Sequence, residues 1–362
     1  MSSYFDQRNE KNLDAIDNLL DALPRFAREF NVGISMRTTP LTRLGYLRDI
    51  RVFCDFLVKR KYPEKQIVEL TIQDIDALSP TDIEEYIDYL SSYRLDGVKH
   101  SCKEQAKERK VSTLRALFKY FYKKEKIANN VMTKVDTPKK HAKPIIRLDV
   151  NEVVDILDEA ENGENLEGRQ KSFHALTAVR DEAMLSLFLG TGIRISECVG
   201  LNRKDINFED NSFVVTRKGG STSILYFSEE VADALRRYIA WLDDQMLEQT
   251  EFGKRITDND ALFLSIKGGR ITPRAVQLMV KKYAKIIAPF KKITPHKLRS
   301  TYGTNLYHET HDIFVVADVL GHKDVNTTRK HYAAMSDDIR RDVVNKIKLR
   351  DKPDDNGGEE DN

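Results

Sequence analysis

The chain has 362 residues, of which 40% are hydrophobic and 32% charged, and this is enough for two domains of ordinary soluble composition. No stretch approaches the roughly 18 apolar residues of a membrane span, and the charged N-terminus lacks the apolar run of a signal peptide, so we expect a cytoplasmic protein. The three widely spaced cysteines, Cys54, Cys102 and Cys198, argue against a disulfide framework and a zinc site.

The first two predicted helices lie near the N-terminus. Apolar residues recur at helical spacing over 14–31, where Pro24 should kink or break the helix. A clearer apolar stripe follows over 41–60, and its members are Leu44, Leu47, Ile50, Phe53 and Leu57. We therefore predict a helical extension at 1–37, followed by the start of a helical domain.

Two more helices follow, and the second has a basic face. Ser79 is placed as an N-cap with Pro80 in the first turn, and this helix should extend to about Tyr93. The next helix, 111–127, has apolar inward positions, and its outward positions hold Arg115, Lys119 and Lys123. Together these elements predict a small all-helical domain at 38–137.

Positive charge is concentrated in one part of the chain. Residues 97–148 contain fifteen Lys or Arg against four Asp or Glu, which is the electrostatic footprint expected of a nucleic-acid partner. A solvated helix face next to a linker would explain the charge equally well. Residues 138–149 show no helical or strand period, so we expect an extended basic linker that lies along DNA phosphates through Lys139, Lys140 and Lys143.

The remainder predicts a mainly α domain with a small antiparallel β-sheet. Helices are expected at 148–160 and 178–192, the second ending at Gly190 or Gly192. The β-branched pair at 214–215, a Lys-Gly-Gly turn and the apolar run 224–227 predict a hairpin. Further helices are predicted at 229–248, 272–288, 295–308, 312–320 and 327–334. This domain should occupy 150–345, before an acidic disordered tail at 346–362.

Three stretches of this second domain hold side chains suited to chemistry. GTGIRISEC places Arg194 and Glu197 after a glycine-rich break, and TRKGG places Lys218 at the tip of the hairpin. In TPHKLRSTYG, His296 and Arg299 lie three residues apart on one helix face. Read singly, each has a structural explanation as a surface charge, a solvated lysine or a hydrogen-bonded pair.

A fourth stretch, GHKDVNTTRKHYA, contains Tyr332 one turn inside a predicted helix, where a tyrosine is either a packed aromatic or a nucleophile. Arginine, lysine, histidine, arginine, histidine and tyrosine in this order resemble the tyrosine recombinase family. The resemblance covers roughly residues 40 to 345. Its boxes are Arg194-Ile-Ser-Glu197, Lys218, His296-Lys-Leu-Arg299, Leu320-Gly-His322 and Tyr332. The interval from His322 to Tyr332 is one residue longer than the commonest family spacing.

The resemblance implies a role for each of these residues. Charge gathers on the nonbridging oxygens during transesterification at a DNA phosphodiester, and Arg194 and Arg299 would hold those oxygens through paired N–H donors. Tyr332 would attack phosphorus to give a 3′-phosphotyrosine, while Lys218 would protonate the departing 5′ oxygen. His296 would act as a base or proton shuttle, and His322 would donate a hydrogen bond to a phosphoryl oxygen. Glu197 would orient the site. Neither a metal ion nor ATP is required, so we expect no cofactor.

The resemblance also implies an architecture and partners. A SAM-like helical core-binding domain and the catalytic domain would form a C-shaped clamp around double-stranded DNA that carries a specific recombination site. Four protomers would act on two sites through a Holliday junction, and the need for an accessory protein is left open. The segment 337–349 has an apolar face that suggests packing onto a neighbouring protomer, formed by Ile339, Val343, Val344 and Ile347.

Other functions stay open. A type IB topoisomerase uses the same side chains but relaxes supercoils without a paired site, and a catalytically silent DNA-binding protein would have lost one of the boxes. His308-Glu-Thr-His311, with His331 nearby in sequence, could bind a metal, although it lacks the i, i+4 arrangement of zinc proteases. Within the family, VTRKGG and TPHKLR are similar to the single-chain Xer recombinases of Gram-positive bacteria, and a mobile-element integrase fits the same boxes.

Overall fold

The computed structural model describes residues 4–136, 146–217, 221–321 and 325. The chain divides into two units, Met1–Ala142 and Lys143–Asn362. Several predicted features fall outside the described residues, namely most of the linker at 138–149, the hairpin tip with Lys218, the helix at 327–334, the segment 337–349 and the acidic tail. No described helix is long and apolar enough to cross a membrane.

The described part of the first unit is built mainly from α-helices. In chain order they are α1 (Tyr4–Leu20), α2 (Arg25–Gly33), α3 (Pro40–Arg60), α4 (Ile72–Asp76), α5 (Pro80–Tyr89) and α6 (Glu104–Lys123). Pro24 is the N-cap of α2, so the break that the sequence predicted at this proline is confirmed. A proline fixes φ and lacks an N–H, which suits the start of a helix better than its interior.

Side-chain caps explain where α5 begins, but the end predicted for this helix from the sequence was wrong. The Ser79 backbone N–H donates to Asp82 Oδ2 at 2.7 Å, and the Asp82 N–H donates to Ser79 Oγ at 3.3 Å, which completes a capping box. The helix ends at Tyr89, not at about Tyr93. Tyr93 instead begins a β-strand.

The first unit contains a β-hairpin, so the prediction of an all-helical domain was wrong. Strands β1 (Tyr93–Leu95) and β2 (Val98–His100) are antiparallel. The turn between them has positive φ at Asp96 (51°) and Gly97 (78°), as a two-residue hairpin turn of the primed type requires. Each strand has only three residues, which is too short for an apolar alternation to be recognised in the sequence.

All six helices of this unit contribute to one core. Aromatic contacts join the N-terminal helices to α6, because Phe26 lies 6.2 Å from Phe121 and Phe30 lies 5.5 Å from Tyr120, centroid to centroid. The ranges 1–37 and 38–137, which were separated in the sequence, therefore share a hydrophobic core in the structure. The predicted stripe of α3 is buried in this core, from Leu44 to Leu57.

The second unit is also mainly helical. Its described helices are α7 (Val150–Asn162), α8 (Gly168–Thr191), α9 (Ile195–Cys198), α10 (Glu229–Leu247), α11 (Pro273–Ile287), α12 (Pro295–Thr310) and α13 (Ile313–Leu320). Helix α8 begins ten residues before the predicted start at 178, because its first turns are polar and exposed and show no apolar period. Of the two glycines predicted to end it, Gly192 is the C-cap, with a left-handed φ of 62°.

A three-stranded antiparallel sheet contains the predicted hairpin. Its strands β3 (Ile206–Asn207), β4 (Ser212–Thr216) and β5 (Thr222–Tyr226) pair in chain order. The last pair in the register is Thr216 with Thr222, and beyond it the Arg217 N–H donates to the Ser221 carbonyl at 2.7 Å. Arg217 is thus held at the end of β4, directly before Lys218 in the sequence.

A buried carboxylate ties α8 to α11. Asp181 is 1% exposed and accepts hydrogen bonds from Arg180 (3.0 and 2.6 Å), Lys282 Nζ (2.9 Å) and the Tyr283 hydroxyl (2.9 Å). Burial alone would raise the pKa of Asp181, but the charges of Arg180 and Lys282 outweigh it and hold the pKa below its usual value. This cluster fixes the long helix that leads to the site described next.

Candidate active site

Arg194 lies two residues after the Gly192 bend and is the N-cap of helix α9. Its backbone N–H donates to Glu197 Oε2 at 3.0 Å, and its Nη1 donates to Glu197 Oε1 at 2.8 Å, while Glu197 is only 5% exposed. The other guanidinium nitrogen, Nη2, donates to the carbonyls of Leu320 (3.2 Å) and Gly321 (3.1 Å). The buried carboxylate therefore fixes the direction in which the Arg194 side chain extends.

Arg299, on helix α12, donates to the same Leu320 carbonyl as Arg194. It is 6% exposed; its Nη1 donates to the Gly192 carbonyl at 2.5 Å, and its Nη2 donates to the Leu320 carbonyl. The two predicted clamp arginines, which are 105 positions apart in sequence, thus meet at the end of α13. His296 lies one turn earlier on α12 and is exposed.

The guanidinium of Arg217 also lies at the end of α13. The sequence patterns did not identify this residue as part of the site. Its Nη2 donates to the Val319 carbonyl at 3.3 Å. It lies so close to Gly321 that a Cβ there would be 0.9 Å from Arg217 Nη1, and Gly321 has a left-handed φ of 59°. A side chain at position 321 would therefore displace the guanidinium, which gives this glycine a second function besides ending α13.

Positively charged side chains outnumber carboxylates at the C-terminal end of α13. Three guanidiniums, from Arg194, Arg217 and Arg299, converge on carbonyl groups at the C-terminal end of α13, and the helix dipole there is partly negative. Glu197 is the carboxylate hydrogen-bonded to this group among the described residues. Burial, together with the nearby charge of Arg194, lowers the pKa of Arg217 against the opposing charges of Glu197 and Asp318. Arg217 Nε is buried and has no hydrogen-bond partner within the described part of the chain.

An excess of fixed N–H donors with one carboxylate is an arrangement suited to an anion. Guanidinium groups bind phosphate oxygens through parallel N–H donors, and they remain charged at any physiological pH. Lys218 follows Arg217 in the sequence, and His322 follows Gly321. Both of these residues, and Tyr332, lie outside the described residues.

The predicted DNA-contacting residues of the first unit differ in their surroundings. Arg115 is half-buried, and its Nη2 donates to the Val135 carbonyl at 3.0 Å, so this guanidinium is partly used inside the unit. Lys119 and Lys123 are exposed on α6, as predicted for an outward face. Lys139, Lys140 and Lys143 lie outside the described residues.

The second unit has a basic cavity that sequence reasoning missed. It has a volume of about 550 Å³ and lies between α11 and residues 289–294. Its lining includes Arg274, Lys281, Lys285, Lys292 and the fully exposed ring of Phe290. The signal was present in the sequence as basic residues spaced four or seven apart on one predicted helix, but such spacing is also common on solvated faces.

The histidines considered for metal binding lie at the end of α12. His308 is in its last turn, with Nε2 3.5 Å from Arg147 Nη1, and His311 is the C-cap with a φ of 53°. Among residues 4–136, 146–217 and 221–321, no three potential ligands of the His, Cys, Asp or Glu type are grouped as a metal site would require. His331 lies outside the described residues.

The chain is similar in sequence to known DNA recombinases. A family model described as the phage integrase family matches residues 146–338. Tyrosine recombinase XerC of Caldanaerobacter subterraneus subsp. tengcongensis is 30% identical, over 86% of this chain and 82% of the relative. Tyrosine recombinase XerS of Streptococcus agalactiae is also 30% identical, over 94% of this chain and 100% of the relative.

Solved structures show the same fold at lower identity. The XerH site-specific recombinase bound to palindromic difH substrate matches with a TM-score of 0.62 and 18% identity, over 84% of this chain and 80% of that one. The Tn1549 transposon integrase in complex with a circular intermediate DNA matches with a TM-score of 0.60 and 19% identity, over 89% and 99%. The predicted fold class, mainly α with a small antiparallel sheet, is confirmed.

Proposed function

The chain belongs to the phage integrase family and is a tyrosine recombinase, a site-specific enzyme that cleaves and rejoins DNA, and we propose that Arg194, Arg217 and Arg299 bind the scissile phosphate. The observation that supports this assignment is the convergence of three guanidiniums on the end of α13 beside the buried carboxylate of Glu197. Positive charge that is already fixed in position stabilises the developing charge without reorganisation during the reaction.

The arginines have different tasks in this proposal. Arg194 is oriented by Glu197 through its Nη1, so its exposed edge is the one that meets the nonbridging oxygens. Arg299 donates to two main-chain carbonyls, which fix the position of its guanidinium in the site. Arg217 carries a buried Nε with no hydrogen-bond partner among the described residues, and an anion that enters between the arginines would be its natural acceptor.

The covalent step then needs a nucleophile and proton transfers. The Tyr332 hydroxyl oxygen bonds to phosphorus, the bond from phosphorus to the 5′ oxygen breaks, and a 3′-phosphotyrosine and a free 5′-hydroxyl result. Lys218 protonates the departing oxygen, while His296 accepts the phenol proton directly or through water. His322 donates a hydrogen bond to a phosphoryl oxygen. Reversal of the same steps with another 5′-hydroxyl rejoins the strand, so the bond energy is conserved.

The DNA would be held by basic surfaces of both units. The exposed Lys119 and Lys123 on α6 and the basic cavity beside α11 offer positive charge for phosphate contacts, which dominate affinity for DNA, and the linker lysines would add to it. We propose that the two units form a clamp around the duplex and that four protomers assemble on two sites. A chain cut after Ala334 should bind its site without assembling, and unchanged recombination by that truncation would contradict this role of the C-terminal segment.

For the biological role we propose a chromosomal Xer-type recombinase. The support is that this chain matches XerS over 100% of that relative, and XerC over 82%. A gene position beside the ends of a mobile element would instead favour an integrase. Recombination of two sites cloned from the chromosome of the source organism, in the absence of any element, is the corresponding functional test.

Trapping on a nicked suicide duplex tests the catalytic assignment. The duplex should carry a sequence selected by the full chain from a random library, so that cleavage releases a short fragment and cannot be reversed. The intact chain should form a covalent adduct, and Tyr332→Phe should bind equally without forming one. An adduct formed by the phenylalanine variant would remove Tyr332 from its proposed role. Efficient relaxation of supercoiled plasmid that lacks a selected site would favour the topoisomerase alternative.

A further inference from the structure

The β1–β2 hairpin of the first unit has two chemically different faces. In its antiparallel register, Tyr93 pairs with His100, and Arg94 pairs with Lys99. Tyr93 is buried and its ring stacks on His100 at 5.3 Å. Because side chains alternate along a strand, Arg94 and Lys99 lie together on the opposite face, and both are exposed. The hairpin therefore presents two cations side by side to solvent.

This cross-strand pair is unfavourable for folding alone. Directly opposed residues have Cβ atoms about 5 Å apart, and like charges at such a pair destabilise a sheet. Within the described residues, Lys99 makes no hydrogen bond or ion pair, and the Arg94 guanidinium reaches only the Gly97 carbonyl at 3.3 Å. Nothing in the packing of the unit requires a positive charge at either position.

Two acidic residues beside the hairpin, Asp96 and Asp55, are already paired. Asp96 in the turn accepts two hydrogen bonds from Arg51, at 2.8 and 3.0 Å. Asp55 is buried and accepts from Lys59 Nζ at 2.8 Å, and the same ammonium donates to the Arg94 carbonyl at 2.8 Å. These bonds hold the hairpin rigidly against α3 and add a third cation beside the pair.

The positive surface continues into the start of α6. Lys103 is exposed and precedes the helix, and Lys107 Nζ donates to Ser91 Oγ at 2.6 Å, beside the hairpin. Lys107 lies on the same side of α6 as the buried residues Val111 and Leu114, whereas Lys119 and Lys123 point to the outward side. The first unit therefore has two separate basic surfaces, and only the outward one was predicted from the sequence.

We propose that the Arg94–Lys99 face of the hairpin binds the phosphate backbone of duplex DNA. This inference rests on the proposed recombinase function and adds a contact that lies outside the predicted basic helix face. Two exposed cations held on a rigid ribbon form a site for strongly charged oxygens, and duplex phosphates provide such oxygens at regular spacing. The contact is to the backbone, so it contributes affinity and position but no base preference.

Salt-dependent binding by the full chain tests the proposal with a charge-matched control. Arg94→Gln with Lys99→Gln removes two charges from the hairpin, and Arg169→Gln with Lys171→Gln removes two exposed charges from the start of α8. Binding to a fluorescent duplex of selected sequence and to one of scrambled sequence is measured across a range of salt concentrations. We expect the hairpin variant to lose about tenfold in affinity for both duplexes, and the slope of log K against log salt to fall by about 2. The control should keep the wild-type slope.

The outcomes separate this inference from the proposed function. An unchanged slope in the hairpin variant, an equal loss in the control, or a loss confined to the selected duplex would each overturn the phosphate contact. Arg94→Lys with Lys99→Arg keeps both charges and should retain wild-type affinity, which excludes a folding defect as the cause. If the intact chain forms no covalent adduct on the suicide duplex, the proposed function fails whatever the hairpin variant does.

Discussion

Two clusters of charged side chains in the second unit have similar components and opposite arrangements. In the first, Asp181 lies at the centre, and Arg180 and Lys282 direct their donors at it, with side chains that are only 11% and 16% exposed. In the second, the carboxylate of Glu197 lies to one side, and the guanidiniums of Arg194, Arg217 and Arg299 end mainly on neutral carbonyls. The Arg194 side chain is 36% exposed.

The difference separates a structural cluster from a binding site. Around Asp181 the cations are already paired with a buried anion, so the cluster has nothing left to bind and contributes to stability. Around Leu320 and Gly321, Arg217 and Arg299 instead donate to main-chain carbonyls, and the Arg194 side chain is partly exposed to solvent. Removing a charge should therefore affect folding in the first cluster and catalysis in the second.

The largest effect is expected from Asp181→Asn. This change leaves the cations of Arg180 and Lys282 buried without their anion, which should lower the free energy of unfolding by about 3–5 kcal/mol. Urea denaturation of the full chain measures it, and the cleavage rate per folded molecule should stay unchanged. A normal unfolding midpoint with lost cleavage would reverse the assignment of the two clusters.

Arg194→Lys should show the opposite pattern. Lysine keeps the charge but cannot bridge Glu197 and a phosphate with a planar fork, so the cleavage rate should fall by about 10²- to 10³-fold. Single-turnover cleavage of the suicide duplex measures the rate, and urea denaturation should show little change. Arg236→Lys, on the exposed surface of α10, is the matched control and should retain full activity. Cleavage by Arg194→Lys at the wild-type rate would remove this arginine from the site.

Acid should weaken the Asp181 cluster by a smaller amount. The folded pKa of Asp181 lies below its unfolded value, so its contribution to stability is fully present above the unfolded pKa of about 3.9. The contribution is lost as the pH falls from there through the folded pKa. Stability measured by urea denaturation between neutral pH and the acid range should decline less steeply in Asp181→Asn than in the intact chain. Identical slopes would show that this carboxyl does not titrate differently on folding.

Arg217→Gln should have the smallest of these effects on the site. Glutamine keeps a donor at the end of α13 but removes one of three positive charges, so cleavage should fall by about tenfold while stability changes little. Gly321→Ala should reproduce part of the loss, because its Cβ would displace the Arg217 guanidinium and the left-handed φ disfavours alanine. Single-turnover rates for both variants and their double mutant measure the coupling. Fully additive losses of cleavage rate would show that the two residues act independently.

Sequence patterns predicted the parts of the fold that depend on local interactions. Ser79 and Gly192 mark helix boundaries through capping and left-handed geometry, and these act within a few residues. The β4–β5 hairpin was predicted for the same reason, since its two β-rich runs are adjacent in sequence. The clamp arginines were found by resemblance to a family, not by any local rule.

The missed features depend on contacts between distant segments or on very short elements. Arg217 gains its place only because α13, about a hundred residues later, ends against it. The polar start of α8 and the three-residue strands β1 and β2 carry too little apolar pattern to be recognised. The Asp-Gly turn at 96–97 was the available signal for the hairpin, and it is typical of a primed turn.

Mapping the covalent adduct tests whether Tyr332 is the nucleophile. The intact chain is trapped on the suicide duplex, the DNA is digested with nuclease and the protein with trypsin, and the modified peptide is sequenced by mass spectrometry. Cleavage after Lys330 and Arg340 releases residues 331–340, HYAAMSDDIR, which contain a single tyrosine. We expect a nucleotide attached through phosphate to Tyr332. A nucleotide on any other residue, or cleaved DNA without a modified peptide, would contradict it.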